Sequence, residues 1–66
     1  MDEEALNMSI RKFLKKVGIT SQREIERAID QANSSGRLDG QPVSVKITLE
    51  CDLIEEPLSI EDEIRY

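Results

Sequence analysis

Leu6, Ile10, Phe13, Leu14 and Val17 recur three and four positions apart, and on a helical wheel they share a sector of about 100°. Arg11, Lys12, Lys15 and Lys16 take the opposite side. The spacing predicts an amphipathic helix over 2–17. Its acids Asp2, Glu3 and Glu4 sit in the first turn and its lysines near the last, which complements the helix macrodipole at both ends. Gly18 reads as the stop, in a left-handed conformation just past the cap. Ile19 bridges to a second helix over 21–35. There Ser21 to Glu24 fits a capping box, and Ile25, Ala28, Ile29 and Ala32 form a narrow core-facing stripe. Gly36 is the C-terminal signal of that helix.

The period then changes. After the turn residues of Arg37 to Pro42, with Leu38 expected to fold back under the second helix, Val43, Val45, Ile47, Leu49 and Cys51 alternate with Ser44, Lys46, Thr48 and Glu50. This predicts a strand over 43–51 with Cys51 on its apolar face, where a thiol behaves as a small hydrophobe. Asp52 to Pro57 connects it to a second strand over 58–66, in which Leu58, Ile60, Ile64 and Tyr66 share a face. Asp62 falls on that inward face. A carboxylate there calls for a bulge or for an edge strand with access to water, and the edge strand is the preferred reading.

These elements define an α+β fold of one domain, α-α-β-β, with a helical hairpin packed on one face of an antiparallel β-hairpin. A lone two-stranded hairpin is marginal in water and leaves two edges unpaired. A homodimer would cure both problems, either by joining strands into a four-stranded sheet or by packing helices together.

Size supports the same expectation, because 66 residues bury only about 60% of the surface of the unfolded chain. With one Phe, one Tyr and no Trp, the core must be Ile, Leu and Val. Fourteen acids against nine bases give a net charge of -5, unevenly spread: residues 1–8 carry -3, residues 9–27 carry +4 and the remainder carries -6. An acidic balance argues against non-specific nucleic-acid binding, which draws on clustered Lys and Arg. The acidic start lacks the pattern of a secretory signal, no apolar run suggests a membrane span, and the single Cys51 fits a reducing compartment. The expected location is the cytoplasm, with no membrane partner.

Candidate chemistry is sparse. Without His, with one Cys and no Gly-rich phosphate loop, the common nucleophile–base pairs and phosphate cradles cannot be assembled, so no enzyme, catalytic residue or cofactor is expected. The spacing of Glu55, Glu56, Glu61, Asp62 and Glu63 fits no calcium loop, and no metal site is expected. What remains is Arg11, Lys12, Lys15 and Lys16, a candidate surface for an anionic partner. The run from Phe13 to Ser21 also resembles a helix-turn-helix DNA-binding motif, with Gly18 at the turn and Ser21 opening the second helix. On that alternative Gln22, Arg23, Glu26 and Arg27 would face the groove. The motif departs from the pattern at Glu24, which takes the buried position, and at Leu14, where a small residue is usual.

The run NMSIRKFLKKVGITSQREIE, from Asn7 to Glu26, with the SGRL that follows the second helix, resembles an uncharacterised family of small bacterial proteins, a domain of unknown function of about this length. The resemblance implies a bacterial source and a single domain. It implies no activity, cofactor or catalytic residue. The functional expectation is a small non-enzymatic protein-interaction module, with itself or an unidentified protein as partner.

Overall fold

The computed structural model describes all residues from Met1 to Tyr66 as one α-helix followed by two antiparallel strands. Helix α1 spans Glu3–Ser34 without interruption, strand β1 spans Val43–Leu49 and strand β2 spans Leu58–Ile64. The fold is α+β as expected, but the helical hairpin is replaced by a single helix of 32 residues.

The C-terminal end of α1 is made as the sequence indicates, while Asp2, expected inside the first turn, stands one residue before the helix. Asp2 is the N-cap, and its carboxylate accepts from the backbone N–H of Ala5 at 3.1 Å. At the other end Gly36 takes a positive φ of 71°, the N–H of Arg37 donates to the carbonyl of Ala32 at 2.8 Å, and that of Gly36 donates to Asn33 at 3.2 Å. This is the Schellman arrangement that satisfies the last carbonyls.

Gly18 is not a stop and Ser21 is not a cap. Gly18 lies in the helix and stays outside the positive-φ region that a helix stop there would need. A glycine inside a helix is unfavourable by only about 1 kcal/mol relative to Ala. That is too little by itself to stop a helix. Val17, Ser21, Ile25, Ile29 and Ala32 are the half-buried positions of α1, and they run as one stripe straight past the glycine.

The two strands pair in a regular ladder from Val43 opposite Ile64 to Leu49 opposite Leu58, with no residue left over for a bulge. One face carries Val43, Val45, Ile47 and Leu49 beside Leu58, Ile60 and Ile64. The other carries Ser44, Lys46 and Thr48 beside Ser59, Glu61 and Glu63. Asp62 stands opposite Val45 and is exposed, as the edge-strand reading requires.

Each strand ends two residues before its expected limit. The carbonyl of Cys51 accepts from the N–H of Ile54 at 3.0 Å, so Cys51 belongs to the turn and not to the ladder. It is exposed, which corrects its placement on the packed face. Beyond β2, the hydroxyl of Tyr66 accepts from the N–H of Gly40 at 2.6 Å, tying the chain end to the loop that enters the sheet. In that loop the N–H of Gln41 donates to the Asp39 carboxylate at 3.0 Å.

Packing between layers is confined to the C-terminal half of the helix. Ile25, Ala28, Ile29 and Ala32 face Leu38, Val43, Val45 and Ile64 across an apolar groove of about 240 Å³, so Leu38 does fold back under the helix. No residue of the chain is fully buried. At 1.5 Å per residue the helix is about 48 Å long and sets the 52 Å length of the molecule.

Because the backbone at Gly18 is helical and a methyl group there would meet nothing within 4 Å, Gly18→Ala is expected to stabilise the helix by about 0.5–1 kcal/mol. Thermal unfolding followed by circular dichroism reads this. A loss of stability would point to a turn at that position.

Candidate interaction surface

The helix presents two unlike faces to solvent. Every residue from Met1 to Lys16 is exposed, and Val17 is the first that is half-buried. Residues 3–16 therefore form an arm that projects beyond the covered half of the helix. Its apolar stripe was expected to pack inside the domain. It does not: Leu6 is 44% exposed, Ile10 48%, Phe13 53% and Leu14 56%.

Opposite the stripe lie Arg11, Lys12, Lys15 and Lys16, and none of them is in an ion pair. The three ion pairs of the chain are Arg27–Glu24, Lys46–Glu61 and Arg65–Glu63. Continuity of α1 adds something that two separate helices would not. At 100° per residue, Lys12, Lys16, Arg23 and Arg27 fall in one stripe about 60° wide, so the two candidate groups share one side of one rod.

Within the second group most side chains are already engaged. The Arg27 guanidinium donates to Glu24 at 2.6 Å, and this hydrogen bond, with the attraction of the carboxylate, raises its pKa above the ordinary arginine value. The side-chain amide of Gln22 donates to Glu26 at 2.9 Å. Arg23 alone of the four has no side-chain partner. All these groups are exposed, so the pairs contribute little to stability.

The sheet carries its own charged side. Lys46 and Glu61, opposite each other in the ladder, are 4.0 Å apart, and Ser44, Asp62, Glu63 and Arg65 surround them along an open, polar groove. Asp62 accepts from the N–H of Glu63 at 2.8 Å. No three acidic, Cys or His side chains converge on a point where a metal ion could be held. Nor is any helix long and apolar enough to cross a membrane.

Sequence reasoning found the basic residues and missed the arm. The missing signal was one of length. A seven-residue strand reaches about 24 Å, half the reach of the helix, so a hairpin of such strands cannot cover both halves of the apolar stripe.

What these features define is a small α+β protein with a long overhanging amphipathic helix and a two-stranded sheet. The chain belongs to the family described as "Family of unknown function (DUF6494)", which matches residues 1–66. No curated protein and no solved structure matches it.

Cys51 stands exposed at the hairpin turn. One equivalent of a maleimide or an aromatic disulfide is expected to react with the native chain at the rate it shows toward the unfolded one. Strong protection that disappears on unfolding would contradict this placement.

Proposed function

We propose that this chain is a small non-enzymatic protein-interaction module of a bacterial cytoplasm, working through the surfaces its own fold leaves uncovered. The observation that carries the reading is the absence of any fully buried residue in a chain with a regular apolar stripe on its helix. Apolar surface exposed in a contiguous patch marks an interaction site. The basic face at Arg11, Lys12, Lys15 and Lys16 would then orient an anionic region of the partner, and the acidic remainder of the chain a basic one.

A second copy is the simplest partner. Both edges of the two-stranded sheet are open, and joining them would give a four-stranded sheet across a dimer. The edge of β2 carries Glu61, Asp62 and Glu63, so pairing it with itself would bring like charges together. Of the two edges, that of β1 carries the less like charge.

Nucleic acid is the less favoured partner. The helix-turn-helix reading needs a turn at Gly18, where the chain is helical, and the net charge is -5. Duplex DNA at low ionic strength is expected to show no salt-sensitive binding. Binding that falls both with salt and with Lys15→Glu/Lys16→Glu would move the reading to nucleic acid.

A photo-crosslinking amino acid placed at Leu14 in the full chain tests the module reading inside cells. Discrete adducts are expected, at twice the chain mass for self-association or at another mass for another protein, and they should be lost with Ile10→Asp. An arm that yields no adduct with any protein would overturn the reading.

A further inference from the structure

We propose that the chain dimerises through its arm, two copies packing their N-terminal helical halves antiparallel about a two-fold axis near Ile10, with Leu6, Ile10 and Phe13 enclosed between them. This rests on the interaction-module reading and gives it a partner and a geometry. Four observations lead there.

The first is surface. A compact protein of 7.5 kDa exposes about 4,200 Å², whereas this chain exposes 6353 Å², about half as much again. The excess is larger than the roughly 800 Å² that each partner contributes to a stable interface. Much of it lies on the arm, where every residue is exposed.

The second is the spacing of the apolar residues. When two identical helices lie antiparallel about an axis between Ser9 and Ile10, Leu6 of each stands opposite Phe13 of the other, and the two Ile10 side chains meet beside the axis. Such a contact is isologous, with each residue meeting its counterpart twice. The stripe is therefore self-complementary.

The third is charge. The arm begins with Asp2, Glu3 and Glu4 and ends with Lys15 and Lys16. The same axis that pairs Leu6 with Phe13 sets Glu3 of each arm level with Lys16 of the other, the acid and the base of the arm nearest the apolar stripe. A parallel arrangement would set Lys16 of both copies side by side. Attraction at both ends thus fixes the orientation that the apolar spacing also selects.

The fourth separates this partner from a lipid surface. A helix lying on a membrane sets its bases at the flanks of the apolar face. Here Arg11, Lys12 and Lys15 point away from the stripe, and the acidic start of the arm would be repelled by anionic headgroups.

Sedimentation of the full chain at tens of micromolar is expected to give twice the 7.5 kDa chain mass, with association that weakens as salt is added. Phe13→Asp should weaken it at least about tenfold. Because that change could also unsettle the helix, a second pair of variants leaves every apolar residue in place. Glu3→Lys/Glu4→Lys and Lys15→Glu/Lys16→Glu should each self-associate weakly, while their equimolar mixture forms a mixed dimer. In a Cys51→Ser background, Ile10→Cys should oxidise in air to a covalent dimer. A chain of monomer mass would overturn the proposal. So would a dimer indifferent to Phe13→Asp, as joined strand edges predict, a charge pair that mixing does not rescue, or co-sedimentation with anionic vesicles in place of self-association. A monomer that still crosslinks to another protein through Leu14 would overturn the dimer and leave the module reading standing.

Discussion

The molecule is governed by a mismatch of lengths. A helix of 32 residues reaches about 48 Å, while strands of seven reach about 24 Å. A hairpin of that size can shield only one half of the helix. Everything unusual about the chain follows: the half-buried stripe that begins at Val17, the exposed arm before it and the lack of any enclosed core. Hydrophobic stabilisation scales with area withdrawn from water, so such a chain gains less from folding alone than its composition allows.

Continuity of the helix also decides how charge is displayed. One rod aligns Lys12, Lys16, Arg23 and Arg27, and sets the acidic first turn at one end of the arm and the basic residues at the other. The sheet keeps most of the remaining acids, at β2 and the hairpin turn, on a separate body of the molecule. The alternation of acidic, basic and acidic stretches along the sequence thereby becomes a pattern in space. An elongated protein of this kind meets a partner in a preferred orientation.

Much of the fold was legible because its signals are local. The Gly36 terminator, the two strands with their alternating faces and the edge position of Asp62 all follow from backbone chemistry within a few residues. Gly18 misled for the same reason. Glycine followed by Ser21 and Glu24 looks like a stop and a restart, yet Gly18 keeps a helical backbone and the half-buried stripe passes across it from Val17 to Ser21. Cys51 failed differently, since strand periodicity continued through it while the turn took its carbonyl. At the candidate surface, Arg11, Lys12, Lys15 and Lys16 could be read directly. Periodicity says that Leu6, Ile10 and Phe13 want cover, but not whether it comes from the same chain.

Gly18 ends up at an informative place, one residue past the point where the covered half of the helix gives way to the arm. A residue without a side chain is the weakest link of a helix, and here it is also where tertiary support stops. We expect the arm to unwind and rewind from that point without disturbing the sheet, as a separate low-stability unit whose amide hydrogens exchange well before those of the strands. Capture of a partner would then be linked to completion of the helix. Ordering the arm draws down part of the contact energy, which favours complexes that form specifically and still come apart.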